Sequence, residues 1–331
     1  MKIAIIGAGS VGTNLHHGFE SKGIHTELIH ARPLTAESPA AENDQMVNDK
    51  MSNDQMVNDQ MVNDQINDQM VNDQMVNDKM SNDQMVNGFD VYIYAVADNA
   101  LRDVVEKIHA PKAIHLHTSG TMPIDVFGED KPHSGVLYFF QSFSREVLID
   151  DWSGIPCFIE GRNIDDIAAI YSLAQSLTSH VYEANQHDRE RLHIAGVFAN
   201  NFSNLMFRIA EDVLRDTQIP FQALLPLIDR TAAKVHSMSP AEAQTGPAQR
   251  GDGEVVLHHM EIIESLPEGV FFNSDIQFVY MMMSQIIQNI SGKNTDPKSL
   301  MEILSQALEE SVGIKHTRQV QPKRRGKYPE E

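Results

Sequence analysis

The sequence is poor in cysteine, in positive charge and in long apolar runs, and each shortage argues against a class of protein. The single cysteine, Cys157, excludes an internal disulfide. Lys and Arg number 26 against 46 Asp and Glu, and the resulting net charge of −20 argues against nucleic acid as a partner. The apolar stretch FVYMMMSQII is too short to cross a bilayer. We therefore expect a cytoplasmic protein with neither a nucleic-acid nor a membrane partner.

The N-terminal residues MKIAIIGAGSVGTNLHHGF contain an apolar run, three spaced glycines and a helix-compatible segment. Gly7 allows a tight turn, Gly9 leaves room for a pyrophosphate near the backbone, and Gly12 lets the helix pack on the strand. The helix N-terminus favours the anion. The alternative is a purely structural glycine turn. The pattern predicts a dinucleotide-binding turn formed by Gly7, Ala8, Gly9, Ser10, Val11 and Gly12.

A second strand, HTELIHAR, follows at the distance that a βαβ unit requires, and it ends on Arg32. This is the position where an NAD site commonly places an acidic residue for the ribose 2′-hydroxyl. An arginine suits a 2′-phosphate instead, so we expect NADP(H) as the cofactor. The alternative is that Arg32 is an ordinary surface residue.

Between this strand and the next lies a tandem repeat of a five-residue unit, residues 43–87. A five-residue period leaves no continuous apolar face on a helix or on a strand. We interpret the repeat as a solvated, mobile insertion, with a fluctuating helix as the alternative. It stands where a Rossmann domain has its second helix and third strand. Loss of that edge strand would leave the phosphate-binding turn intact.

The strand pattern resumes with DVYIYAVADNALRDVVEKI, in which Asp98 is placed to cap a helix. In the next strand, KAIHLHTSG, the side chains of His115 and His117 share one face. Ligands bind at the carboxyl ends of such strands. We expect Val96, Asp98 and Ser119 to contact the cofactor there, and His117 to be a candidate proton donor.

Further strands in SGVLYFFQSFS, IPCFIEG and SHVYEA, with a helix in IDDIAAIYSLAQSL, complete the series. The pattern predicts an α/β fold: a doubly wound, mostly parallel Rossmann sheet over residues 1–184, interrupted by the low-complexity insertion. An all-α C-terminal domain over residues 185–313 and a flexible tail over residues 314–331 would follow.

The segment DRERLHIAGVFANNFSNLMFRIAEDVLRD predicts one long helix. His193, Asn200 and Asn204 would share one face of it, with Asn201 about 80° away. This polar stripe has two interpretations. It is either a set of buried, hydrogen-bonded groups at a helix interface, or a wall facing the nicotinamide with His193 as the proton donor.

The polar, glycine-rich segment QTGPAQRGDGEVVLHH follows between two helical stretches. Arg250 could hold an anionic group of the substrate, or it could pair with Asp252 and secure a loop. Both interpretations stay open on these residues. The later segment SDIQFVYMMMSQIIQNI predicts a core or interface helix.

The motifs GAGSVG, AVADNAL, HTSG, QSFS, HIAGVFANNFSN, LLPLIDRTAAKV and QTGPAQRGD together resemble a known family. It is the family of Rossmann-type NADP oxidoreductases with a domain of unknown function numbered 2520, relatives of pyrroline-5-carboxylate reductase, ketopantoate reductase and 6-phosphogluconate dehydrogenase. The resemblance covers residues 1–32 and 88–290. It departs at Phe139, where relatives often have proline, and at the repeat.

The resemblance implies a helical domain that forms a homodimer and an active site between the two domains. It assigns Gly7, Gly9, Gly12 and Arg32 to the cofactor. It also assigns a set of residues to the cleft: His117, Ser119, His193, Asn201, Arg250 and Asp252. Of these we expect Asn201 to be catalytic, and we expect Arg250 and Asp252, together with Asn204, to contact a small-molecule substrate.

The function expected from these features is hydride transfer between NADP(H) and a small carbonyl or imine, with His193 or His117 transferring the proton. No metal is expected. One alternative is a non-catalytic NADP(H)-binding sensor or partner-binding protein. Another is that the repeat records a tract expansion in a gene whose product has lost its function.

Overall fold

A computed structural model of the protein describes residues 1–31, 88–267 and 269–292. Arg32, the repeat at residues 43–87 and the predicted tail at residues 314–331 lie outside this range, so the predictions made for them are untested. The chain divides into two compact units, residues 1–200 and residues 201–331. The predicted domain boundary after residue 184 stays a prediction.

The first unit is built on a seven-stranded sheet with the order β2-β1-β3-β4-β5-β6-β7. All neighbouring strands are parallel except β5 and β6, which are antiparallel. The predicted doubly wound, mostly parallel sheet is confirmed. Among the described strands β2 is at the edge. The strands are β1 (Ile3–Ile6), β2 (Thr26–Ile29), β3 (Val91–Tyr94), β4 (Ile114–His117), β5 (Ser134–Phe139), β6 (Cys157–Gly161) and β7 (Val181–Glu183).

Four α-helices of this unit belong to the described residues. They are α1 (Ser10–Ser21), α2 (Asp98–Glu106), α3 (Ile164–Gln175) and α4 (Gln186–Gly196), and a 3₁₀ turn (Ile124–Phe127) lies between β4 and β5. Asp98 was predicted as the cap of α2, but the N-cap is Ala97, and no side chain caps this helix. The Asp98 carboxylate instead accepts a hydrogen bond from Thr121 Oγ1 at 2.7 Å.

Both faces of the sheet are covered, which is why β1 and β3 are buried at every position. Alternate residues of each strand enter different cores. Ile3, Ile5 and Leu116 belong to the core that contains Trp152, whereas Ala4 and Ile6 belong to the core that contains α2 residues. The predicted faces of β4 are therefore confirmed.

The predicted long helix is interrupted. A π-helical segment, Val197–Phe202, follows α4 directly, and α5 (Ser203–Leu214) follows that segment. A π-helix has i→i+5 hydrogen bonds and turns less per residue than an α-helix. The α-helical spacing that placed His193, Asn200 and Asn204 on one face therefore does not hold across this segment.

The described part of the second unit is helical, which confirms the all-α C-terminal region. Its buried apolar residues are few, and Met260 and Met281 form a cluster with Tyr280 packed against it. No helix in the described residues is long and apolar enough to span a membrane. The helices after α5 are α6 (Leu225–Lys234), α7 (Pro240–Ala243), α8 (Pro247–Arg250), α9 (Gly253–Glu264) and α10 (Asn273–Ser291), with a 3₁₀ turn (Phe221–Leu224) before α6.

Candidate active site

The glycine-rich turn between β1 and α1 has little room at two of its three glycines. Gly7 has a positive φ of 109°, and a Cβ there would lie 2.4 Å from the Ala95 carbonyl oxygen. A Cβ at Gly12 would lie 1.8 Å from the Gly7 carbonyl oxygen. By contrast, a Cβ at Gly9 would meet no atom within 4 Å. The strand, turn and helix thus pack closely around an open space above Gly9.

The N-terminus of α1 faces this open space without a competing group. Gly9 is the N-cap, no side chain caps the helix, and its first turn contains no acidic residue. Unpaired N–H groups at a helix start attract anions, and the helix dipole adds to the effect. The turn can therefore receive a phosphate group.

A cleft of about 400 Å³ begins at this turn and runs along the carboxyl ends of β1, β3, β4 and β5. It includes seven of the residues that the sequence predicted for the site: Gly9, Ser10, Val11, Val96, Asp98, Ser119 and His193. Its other lining residues are Ala95, Ala97, Thr118, Gly120, Thr121, Leu137, Tyr138, Phe139, Gln141 and Phe143.

Ser119 holds the loop after β4 in shape. Its Oγ accepts hydrogen bonds from the main-chain N–H groups of Thr121 and Met122, both at 3.1 Å. Thr121 Oγ1 in turn donates to Asp98. This network joins the loop after β4 to the first residue of α2, and it places hydroxyl and carboxylate groups on one wall of the cleft.

Tyr138 and His193 also line the cleft, where they contact each other. The Tyr138 hydroxyl and His193 Nδ1 are 3.3 Å apart, and both side chains line the cleft. Burial raises the pKa of the Tyr138 phenol above its usual value of 10.0. The sequence reasoning missed Tyr138, because a tyrosine in an apolar strand is more often a core residue than an acid.

Two glycines let the Tyr138–His193 pair form. A Cβ at Gly120 would lie 2.8 Å from Tyr138 Cζ, so the phenol ring packs against the loop after β4. A Cβ at Gly196 would lie 2.6 Å from Phe140 Cζ, so α4 packs against the residue that follows β5. His193 is less than one helical turn before Gly196. The close packing of α4 on Phe140 therefore brings His193 to the end of β5.

His117 does not line this cleft. The side chain is fully buried, its Nδ1 accepts the Ser119 N–H at 3.2 Å, and its ring stacks on Phe127. Burial, with a smaller contribution from the Arg189 charge, lowers its pKa from 6.5 to about 3. A neutral, enclosed imidazole is poorly suited to donate a proton near neutral pH.

Arg189 on α4 is a second residue that the sequence reasoning missed. It is fully buried and forms an ion pair with Glu160 on β6. It also donates to the carbonyls of Ala184 and Met122, both at 3.0 Å. A buried charge needs such partners. Arg189 thereby fixes α4, and with it His193, to the sheet and to the loop after β4.

Four predicted site residues belong to the second unit and are not among the residues that line this cleft. Asn201 and Asn204 are exposed, as is Arg250. Among the described contacts Arg250 has no ion pair with Asp252. Asp252 is the N-cap of α9, and its side chain accepts a hydrogen bond from the Val255 N–H at 3.4 Å. Roles for these four residues at a substrate stay predictions. In the described residues, no group of three or more His, Cys, Asp or Glu side chains could hold a metal ion.

The chain is similar to known proteins in sequence and in fold. The model of the domain of unknown function DUF2520 matches residues 155–287. A Bacteroides fragilis protein, BF3122, whose crystal structure is described as that of a "putative NADP oxidoreductase", is 30% identical, with 87% of this chain and 98% of that chain covered and a TM-score of 0.66.

The Thermotoga maritima protein TM1727 shares the fold at 14% identity, with 88% and 98% of the two chains covered and a TM-score of 0.55. No curated protein matches the chain. The similarity to the Bacteroides protein extends over nearly its whole length. The chain therefore belongs to the family of Rossmann-fold NADP oxidoreductases that carry a DUF2520 domain.

Proposed function

We propose that the protein transfers a hydride between NADP(H) and a small carbonyl or imine substrate, and that Tyr138 and His193 transfer the accompanying proton. The observation that carries the proposal is the Tyr138–His193 contact, at 3.3 Å, in the wall of a cleft that starts at the glycine-rich turn. A phosphate-binding turn and a proton donor at one cleft are what reduction by a nicotinamide requires.

The residues of the turn fit a dinucleotide. The space above Gly9 is open, and the uncapped start of α1 faces it. The backbone of Gly7, Ala8, Gly9, Ser10, Val11 and Gly12 would hold the diphosphate, and Val96, Asp98 and Ser119 would contact the nicotinamide half. Arg32, outside the described residues, is the proposed contact of the 2′-phosphate. When bound, the cofactor supplies or accepts a hydride at C4 of its nicotinamide ring.

Reduction of a carbonyl leaves negative charge on its oxygen, and a phenol donor beside that oxygen stabilises the charge by giving up its proton. Because burial raises the Tyr138 pKa, the phenol keeps its proton through neutral pH. His193 is exposed, and its Nδ1 contacts the Tyr138 hydroxyl, so it can pass a proton from solvent to the phenol oxygen.

His117 fits a different role. Its Nδ1 accepts the Ser119 N–H, so it positions the loop that carries Ser119 and Thr121. We therefore assign proton transfer to His193 and Tyr138 and not to His117. Asn201, Asn204, Arg250 and Asp252 remain proposed substrate contacts from the helical domain.

The test combines binding and turnover in the full-length protein. NADPH and NADH are titrated by calorimetry, and NADPH oxidation is then followed across a panel of small carbonyls and imines. We expect NADPH to bind more tightly than NADH. Tyr138→Phe should lower turnover about a hundredfold or more, with unchanged NADPH affinity. The matched control is Tyr182→Phe, which removes the hydroxyl of a half-exposed tyrosine on β7.

Each other outcome has a defined meaning. Equal turnover in Tyr138→Phe and wild type would show that the phenol is not the acid. Tight NADPH binding without oxidation across the panel would favour the sensor hypothesis. The absence of binding would contradict the proposal as a whole. The cytoplasmic location stays a prediction.

We also propose that the helical unit forms a homodimer. The apolar residues Met283, Ile286 and Ile290 lie on one side of α10 at i, i+3 and i+7, and they are 47%, 49% and 74% exposed. The opposite side of α10 buries Met281. A helix that is apolar on two sides is typical of an element packed on two partners. A second copy of the chain would cover the exposed side.

The dimer is tested by light scattering coupled to size exclusion. We expect wild type at twice the chain mass of 37.1 kDa. Ile286→Asp should shift it to one chain mass, because a carboxylate in an apolar interface is costly. Glu254→Gln, an exposed change on α9, is the control. A wild-type protein of single chain mass would refute the dimer.

A further inference from the structure

A loop that follows β5 carries a cation to the glycine-rich turn. Arg145 Nη2 donates a hydrogen bond to the main-chain carbonyl of Ala8, although the two residues are 137 positions apart. Ala8 lies between the two glycines that begin the turn. Neither the spacing of the glycines nor the strand pattern predicts a residue from this loop at the turn.

The loop is anchored on α1 by a buried amide. Asn14 is fully buried, and its Nδ2 donates to the carbonyls of Ser10 at 2.8 Å and Ser144 at 2.6 Å. Its Oδ1 accepts the Ile149 N–H at 2.9 Å. Two of these three hydrogen bonds join α1 to the loop, and the residue before Arg145 is thereby held in place.

Two further contacts reinforce the anchor. His17 Nε2 and Asp150 Oδ1 are 2.8 Å apart. Trp152 packs so closely on Gly18 that a Cβ there would lie 2.7 Å from the indole ring, and its Nε1 donates to the Ile149 carbonyl at 2.9 Å. These contacts hold the loop against α1 and so fix the position of the Arg145 backbone.

Arg145 forms no ion pair with the residues that the structure describes. Among the described residues no carboxylate lies within 4.0 Å of its guanidinium. The neighbouring Glu146 carboxylate accepts a hydrogen bond from Ser144 Oγ instead. A guanidinium has five N–H donors, and the contact with Ala8 uses only part of them. The remaining donors of this exposed side chain are available to an anion at the turn.

We propose that Arg145 binds the diphosphate of the cofactor, an inference that rests on the proposed NADP(H) binding. The guanidinium fork matches phosphate oxygens and gives strong, charge-assisted hydrogen bonds. In a chain of net charge −20, a fixed cation at the turn also reduces the repulsion of an anionic ligand. In this fold the 2′-phosphate binds at the end of β2, whereas the Arg145 guanidinium lies at Ala8 in the glycine-rich turn. Arg145 would therefore contact the diphosphate, which NADP(H) and NAD(H) share.

The experiment measures dissociation constants of NADPH, NADH and ADP-ribose by calorimetry for wild type, Arg145→Ala and Arg145→Lys. We expect Arg145→Ala to weaken all three ligands by one common factor, about tenfold. The affinities of Arg145→Lys should lie between those of wild type and Arg145→Ala, since lysine keeps the positive charge but lacks the paired N–H donors of the guanidinium. Thermal unfolding of each variant shows whether the loop stays folded.

The matched control is Arg162→Ala. Arg162 is also exposed and also donates to a main-chain carbonyl, that of Gly128 at 3.0 Å. It follows β6 directly, and β6 is antiparallel to β5, so it lies at the other end of the sheet from the turn. We expect unchanged affinities for this variant.

Three results would overturn the inference. Unchanged affinities in Arg145→Ala, with or without lower thermal stability, would show that the residue only fastens the loop. A loss confined to NADPH would assign it to the 2′-phosphate. A wild-type protein that binds none of the three ligands would refute the proposed function and this inference together, whereas the first two results leave NADP(H) binding intact.

Discussion

At the scale of single residues, buried polar side chains decide how the cleft is built. Asn14 joins α1 to the loop after β5, and Arg189 joins α4 to the sheet. His115 is fully buried between Tyr94 Oη and the Ala110 carbonyl, each at 2.9 Å. Each of these groups has partners on another element, which is the condition for burying polar groups without a large cost.

Two buried histidines give the protein a predictable dependence on pH. Burial lowers the pKa of His115 to about 4 and that of His117 to about 3. Below about pH 6.5 the unfolded chain therefore binds protons that the folded chain does not. The free energy of unfolding should fall as pH decreases from 6.5 towards 4, by up to about 1.4 kcal/mol per pH unit for each histidine.

This prediction is checked by denaturant unfolding at several pH values and by NMR of labelled histidine rings. The variant His115→Gln should show a shallower decline than wild type, whatever its stability at pH 7. The NMR signals of His115 and His117 should not titrate between pH 8 and pH 5. Titration of either ring near pH 6.5 would contradict the burial on which the prediction rests.

At the scale of elements, the three glycines of the turn between β1 and α1 differ in whether close packing requires them. Gly7 and Gly12 are required by close packing, whereas Gly9 is not, because a Cβ there would meet nothing within 4 Å. A methyl group at this position would therefore meet a bound ligand before it met the protein. A substitution at Gly9 should therefore change the affinity for the cofactor without changing the stability of the fold.

We predict that Gly9→Ala folds with the thermal stability of wild type but binds NADPH at least tenfold more weakly, because the methyl group occupies the space of the diphosphate. The control is Gly154→Ala, a second glycine whose Cβ would meet nothing within 4 Å and which is not among the cleft residues. It should change neither quantity. Calorimetry and thermal unfolding give both readouts, and equal NADPH affinity in Gly9→Ala would refute the placement of the diphosphate.

The π-helical segment Val197–Phe202 is the element that sequence periodicity predicted least well. The apolar and polar residues of this region fit a regular α-helix, and nothing in their order marks the change to i→i+5 hydrogen bonds. Asn201 and the residues after it consequently have a different register from the one that the α-helical spacing predicts.

At the scale of the whole molecule, the described sheet is continuous without residues 43–87. β1 pairs with β2 on one side and with β3 on the other, and the register is regular in both pairs. If the repeat were deleted, the thirteen residues 30–42 and the three residues 88–90 would remain between β2 and β3. Parallel strands need a connection of about a dozen residues, so this remainder is long enough.

Deletion of residues 43–87 should therefore leave the thermal unfolding temperature unchanged. The dissociation constant of NADPH should stay within about twofold of the wild-type value, a difference of less than ~0.5 kcal/mol. Thermal unfolding and calorimetry of the deletion variant check this prediction. Such a result would count against the hypothesis of a tract expansion that destroyed function. A clear gain in both quantities would support that hypothesis, and loss of folding would show that the repeat is needed.

Local patterns in the sequence determined the strands, the glycine-rich turn and much of one wall of the cleft. Apolar runs mark buried parallel strands, and the turn depends on residues that are adjacent in the chain. This is why Gly9, Ser10, Val11, Asp98 and Ser119 could be placed in advance at the carboxyl end of the sheet.

Only the tertiary structure decided which distant side chains meet there. Tyr138 and His193 are 55 positions apart, and Asn14 and Ser144 are 130 apart. Such contacts depend on how helices and loops pack on the finished sheet, and no periodicity encodes them. The same packing encloses His117, whose position at the carboxyl end of its strand had suggested a contact with the ligand.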